Sequence, residues 1–130
     1  MRTFKEFSKN HISYTGVVLD QQNKYLLLNH FWQYIPQGWD VTADHMTINL
    51  GSSKHPDLMG KEFVLTIKGI AQNDKVIAAA VETEAPSMNA FKHITIAVNR
   101  LAGGKPSDSK QFTEFTPIPN FSVIGVVQED

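Results

Sequence analysis

Asp44-His45-Met46-Thr47-Ile48-Asn49-Leu50 decides how this chain is read, because polar and apolar residues alternate through it with a period of two. That period marks a β-strand with one buried face, so His45, Thr47 and Asn49 share the polar side while Met46 and Ile48 face a core. The pattern returns in Phe91-Lys92-His93-Ile94-Thr95-Ile96-Ala97-Val98-Asn99, where His93 and Thr95 share a face and Ala97 and Asn99 follow on it. Aligned on their histidines, both stretches read histidine, apolar, threonine, isoleucine, small or polar, aliphatic. The chain between them has room for a hairpin, so the halves of a pseudo-symmetric sheet each carry one copy on a strand.

Working outward, Tyr14-Thr15-Gly16-Val17-Val18-Leu19 reads as a strand from its β-branched residues, and Asp20 follows as a helix N-cap. Leu28, Phe31, Trp32 and Ile35 then fall on one helical face until Pro36 and Gly38 stop it. Gly51 to Gly60 is a loop. Phe63 to Ile70 and Lys75 to Glu82 form an antiparallel hairpin across Gln72-Asn73-Asp74. Ala85 to Ala90 and Gly103 to Asp108 are loops, the second followed by a helical turn, and Phe121 to Val127 is a last strand. Residues 1–130 form a single domain with a loose N-terminal arm over about residues 1–13. The expected class is α+β, an antiparallel sheet with few helices.

Apolar residues make up 42% and charged residues 19%, which is the makeup of a folding chain. The 12 Lys and Arg against 13 Asp and Glu leave a net charge of -1 and no basic run. Tracking a long polyanion needs a concentrated basic surface, so no long nucleic acid is expected as a partner. With no cysteine, thiolate chemistry, thiolate metal sites and disulfides are excluded. No stretch approaches the roughly 20 apolar residues of a spanning helix, so a cytoplasmic, unanchored protein is expected.

The repeat carries the chemistry. Residues i and i+2 of a strand point to one side, so each copy delivers an imidazole and a hydroxyl to the same face. Reaction at a phosphodiester needs a base for the attacking oxygen and an acid for the leaving oxygen, and histidine does either near neutrality. Thr47 and Thr95 would donate to the non-bridging phosphate oxygens, where charge has to be held. Sequence leaves open which histidine is base and which is acid. His11-Ile12-Ser13 also fits the short motif, but its flanks do not repeat those of the other two. A zinc site on His45 and His93 lacks a third ligand in the sequence, so neither a metal nor another cofactor is expected.

The paired His-x-Thr-x strands, His45 to Ile48 and His93 to Ile96, resemble those of the two-histidine (2H, LigT-like) phosphoesterase superfamily. The resemblance implies a bilobal, pseudo-symmetric antiparallel β-sheet around a central cleft and metal-independent action on phosphodiesters of ribonucleotides, with the ribose 2′-oxygen taking part. His45, Thr47, His93 and Thr95 would be the catalytic residues. The size, the Tyr14-Thr15-Gly16 opening and Gly103-Gly104-Lys105-Pro106 are most similar to phage anti-CBASS nucleases, which cleave the 3′-5′ bonds of cyclic oligonucleotide immune signals. That subgroup would act in the host cytoplasm. The alternatives are a phosphodiesterase for RNA 2′,3′-cyclic phosphate or 2′-5′ oligoadenylate, and a nucleotide-binding module without catalysis. In each case the partner is a small cyclic or linear oligonucleotide, and the oligomeric state is open.

Tyr14 and Trp39 flank the first two strands, where aromatic rings can stack on a base. Lys105, after two glycines, can offer an ammonium to a phosphate, although Pro106 stands where a Walker loop has Ser or Thr. His30 and His55 read as an ordinary helix-face residue and an ordinary loop residue.

Overall fold

Alternating β-branched and aliphatic residues build seven strands, which a computed structural model of the chain, describing residues 12–130, arranges in one sheet. In chain order the elements are β1 (Tyr14–Leu19), α1 (Gln21–Phe31), β2 (Asp40–Val41), β3 (His45–Leu50), β4 (Glu62–Gln72), β5 (Val76–Glu82), β6 (His93–Val98) and β7 (Thr116–Glu129), with short 3₁₀ turns between some of them. The order across the sheet is β2-β6-β3-β1-β7-β4-β5, every neighbour antiparallel, and β5 pairs again with β6 from Val76↔Val98 to Ala80↔His93. Six strands therefore close into a barrel, with β2 as a two-residue piece on the edge of β6.

This corrects the expected bilobal, pseudo-symmetric sheet around a central cleft. The two His-x-Thr strands are neighbours in one continuous wall. Alternation in a sequence says which face of a strand is buried, but not where the edges of the sheet go. Here β4 and β7, longer than their apolar cores indicate, wrap far enough for β5 to meet β6 and close the sheet on itself.

Val17, Met46, Ile48, Leu65, Ile67, Ile77, Ile94, Ile96 and Val123 fill the interior, all essentially without solvent exposure. Helix α1 begins where expected, with the Asp20 carboxylate accepting from the Asn23 backbone N–H at 2.8 Å. Of the expected face, Phe31 is buried and Leu28 and Ile35 pack half-buried against the core, but Trp32 does not, and Leu27 is the helix's other fully buried residue. At Trp32 the chain tightens into a 3₁₀ turn, which breaks the 3.6-residue period and leaves Trp32 68% exposed. The hairpin of β4 and β5 forms as read, its turn held by the Asn73 side-chain oxygen accepting from the backbone N–H groups of Lys75 and Val76.

Outside the barrel, the segment Pro106–Gln111 packs on β5 and β6, where the outward Val76, Ala78 and Val98 are buried apart from the main core. Among the described residues no helix is long and apolar enough to cross a membrane. Most of the expected N-terminal arm, residues 1–11 with His11, lies outside the described residues. Its last member, Ser13, is tied into the barrel by its N–H donating to the Asp130 carbonyl at 2.7 Å.

Candidate active site

The wall is thinnest where β3 meets β6. Their ladder narrows to one pair, Met46↔Ile94, whose side chains point inward and are fully buried. Beside it, the Thr42 and Ala43 N–H groups each donate at 2.9 Å to the carbonyls of Ile96 and Thr95. Ala43 is buried and left-handed, with φ +46°, a conformation sparsely adopted by residues with a Cβ, and it is the bend that turns the chain from β2 into β3.

With Met46 and Ile94 facing in, strand periodicity turns His45, Thr47, His93 and Thr95 outward. The antiparallel register sets His45 beside Thr95 and Thr47 beside His93, so the imidazoles are diagonal neighbours about 7 Å apart at Cβ. All four side chains line one groove of about 440 Å³, along with Tyr14, Asp44, Lys110 and Asp130. A larger and more open depression of about 850 Å³ on β4 and β5 is lined by Glu62, Glu82 and Glu84 among others and has no imidazole.

The His45 ring lies flat on Tyr14, with centroids 3.9 Å apart and planes 15° apart. Gly16 makes this possible: a Cβ there would stand 2.9 Å from the Met46 carbonyl oxygen and 3.2 Å from both the His45 and Tyr14 rings. His45 Nε2 is 3.2 Å from Thr47 Oγ1, while Nδ1 is buried with no hydrogen-bond partner among the described residues. Burial lowers the His45 pKa below the ordinary 6.5; the carboxylates of Asp44 and Asp130 oppose this and His93 adds to it.

His93 is fixed differently. Its Nδ1–H donates to the Phe91 carbonyl at 2.8 Å, which leaves Nε2 as the free nitrogen of the neutral ring. Its pKa is also lowered, first by burial; the Phe91 carbonyl opposes the shift and the Lys110 ammonium adds to it. Burial, followed by the charge and hydrogen bond of Asp130, raises the Tyr14 phenol, so Tyr14 stays protonated. Asp44 forms an ion pair with Lys24 at 2.7 Å, which offsets its charge.

The threonines differ too. Thr47 Oγ1 faces His45, whereas Thr95 Oγ1 is 2.8 Å from Ser109 Oγ and 3.3 Å from the Pro106 carbonyl. Asn49 leaves the polar face: it is buried, and its amide donates to the Leu50 and Ser52 carbonyls.

Of the other residues singled out, Tyr14 lines the groove, while Trp39 packs half-buried against the core and does not. Lys105 also stands outside the groove, exposed, with its backbone N–H donating to Asp108 at 3.0 Å. The glycines before it form a tight turn: Gly103 has φ +78°, and a Cβ on Gly104 would collide with the Lys75 carbonyl. That turn brings Lys110 to the groove instead, one of several basic residues that spacing alone could not rank. Asp44 was visible beside His45, but Asp130 and Ser109 had no local signal. His30 stacks on Phe121 with centroids 3.6 Å apart, a packing role. Among the described residues no three His, Cys, Asp or Glu side chains are grouped as metal ligands. Neither the chain nor its fold matches any protein-family model, curated protein or solved structure with which it was compared.

Proposed function

We propose that this groove is the active site of a phosphodiesterase that works without a metal on small ribonucleotides, with cyclic oligonucleotides as the leading substrates. One observation carries the reading: the Met46↔Ile94 pair sets two His-x-Thr triplets crosswise, so that two imidazoles face one groove. A binding site has no need of two titrating groups at this spacing, whereas transesterification at phosphorus does.

In this reading a ribose 2′-hydroxyl attacks the adjacent phosphorus. One imidazole takes its proton as the 2′-O–P bond forms, and the other gives a proton to the 5′-oxygen as the P–O5′ bond breaks. The products are a 2′,3′-cyclic phosphate and a 5′-hydroxyl. One acid and one base require the pair to hold one proton; burial lowers both pKa values, so that state is reached on the acid side of 6.5, and the charge of His93 lowers that of His45 a little further. The direction in which the substrate lies decides which is which. Thr47 donates to a non-bridging oxygen when His45 Nε2 carries the proton and donates to the Thr47 hydroxyl. A groove of about 440 Å³ holds about one nucleotide unit, near the lower end of ordinary ligand sites.

His45→Ala and His93→Ala should each cut turnover by about 10²-fold or more with the fold retained. Full activity in either would sink the proposal. To identify the substrate, the protein is incubated with a cyclic di- or trinucleotide, an RNA ending in 2′,3′-cyclic phosphate and a 2′-5′ oligoadenylate, and the products are resolved. Linearisation of the cyclic nucleotide to a 2′,3′-cyclic phosphate end, with its dideoxy analogue intact, is expected. Equal cleavage of the deoxy analogue excludes attack by the 2′-oxygen, and turnover of the RNA end alone moves the protein to an RNA-repair role. Tight binding without any product leaves a sequestering module.

A further inference from the structure

The geometry points to Lys110, not the Thr95 hydroxyl, as the contact that holds the charged phosphate in the second half of the groove, with Thr95 and Ser109 as the positioning residues that put it there. The inference rests on the groove being a phosphodiester site. In the sequence Thr47 and Thr95 look equivalent, but a hydroxyl has a single proton to donate. The Pro106 carbonyl can only accept, so Thr95 either donates to it while accepting from Ser109 or donates to Ser109 itself. In both arrangements its proton is held by the segment Pro106–Gln111, which forms one side of the groove, and is not offered to a ligand lying there.

Ser109 is 1% exposed, which makes this bond a built anchor rather than a surface contact. The Gly103-Gly104 turn and the Lys105 N–H to Asp108 bond fix the start of the same segment. The residue after the anchor, Lys110, is exposed and lines the groove. Among the described residues that line the groove it is the one Lys or Arg, and it makes no ion pair there. Lys110 is therefore the cation of the groove left for an anion. Its charge already reaches His93, whose pKa it lowers. Charge developing on the phosphate oxygens at the transition state is where such a group acts.

The test needs no turnover at its first step. The His93 imidazole, which faces Lys110 from the segment Pro106–Gln111, His45 from β3, and Asp44 and Asp130 across the groove, is titrated by NMR. The titration is run in the wild type and in Lys110→Met, Lys110→Arg, Ser109→Ala and Thr95→Val, with and without inorganic phosphate. Lys110→Met should raise the His93 pKa, weaken phosphate binding at least tenfold and lower turnover of the cleaved nucleotide by about 10²-fold, a typical loss for one charge-stabilising donor. Lys110→Arg should restore much of each. Ser109→Ala and Thr95→Val should move His93 in the same direction, less far. Phosphate binding unchanged in Lys110→Met, or a His93 titration that does not move, overturns the assignment. Full turnover in Lys110→Met also removes Lys110 and leaves the phosphodiesterase standing. Conversely, predicted shifts in a wild type that cleaves none of the nucleotides keep Lys110 as an anion contact and remove the phosphodiesterase.

Discussion

Gly16→Ala puts one methyl group between three fixed neighbours. The new Cβ would lie 2.9 Å from the Met46 carbonyl oxygen, several tenths of an ångström too close, and 3.2 Å from carbons of the His45 and Tyr14 rings. The rings can yield a little, but the carbonyl belongs to β3 and yields only if β1 and β3 move apart. Overpacking of this kind costs about 1–3 kcal/mol. Alanine also removes freedom from the unfolded chain, worth about 0.4–1 kcal/mol in the opposite direction. The net loss is then between about 0 and 2.6 kcal/mol. Over an unfolding entropy of roughly 0.27 kcal/mol/K for a chain of this length, that lowers Tm by up to about 10 °C. The same methyl pushes His45 off Tyr14 and towards solvent, so the His45 pKa should rise towards its ordinary value. Calorimetry reads the first effect and an imidazole NMR titration the second. Adding Tyr14→Ala, which vacates one side of the contact, should make the double mutant lose less than the sum of the singles. A variant that melts with the wild type and titrates His45 unchanged would refute the claim that Gly16 exists to seat the stack.

Ile94→Ala empties one half of the single ladder pair between β3 and β6, and should cost about 2–5 kcal/mol in urea unfolding and lower activity through loss of register; a loss below 1 kcal/mol would mean that the seam is held elsewhere. Both histidines have pKa values lowered from 6.5, so an unfolded chain takes up protons first as pH falls. Stability is therefore full above about 6.5 and is lost as pH drops through the folded values, and the urea midpoint should fall between about pH 7.5 and pH 5; a flat midpoint contradicts the burial of both rings. The pH profile of turnover should be bell-shaped and lie on the acid side of 6.5 for the same reason, and an optimum well above it would remove the one-proton pair. Thr47→Val should lower turnover more than it shifts the His93 titration, the reverse of Thr95→Val, because only Thr95 holds the Lys110 segment.

Period-two alternation around His45 and His93 was enough to show that each imidazole shares a strand face with a threonine, because that geometry is local. The N-cap at Asp20, the hairpin turn at Asn73 and the inward Met46, Ile48, Ile94 and Ile96 were legible for the same reason: each depends on residues within a turn or two of chain. The closure of the barrel was not legible. It depends on β5 meeting β6, a pairing between segments that look alike in either an open or a closed sheet. The inequivalence of the two triplets was hidden as well. Thr95 is committed to Ser109 and Lys110 replaces Lys105 in the groove, because a glycine turn carries the chain back across β6, and the direction of that return is set by packing on Val76, Ala78 and Val98. The sequence by itself thus determined which side chains share a face on each strand. Only the tertiary structure decided which faces meet and which cation comes to them, since pairing and packing between distant segments have no local code.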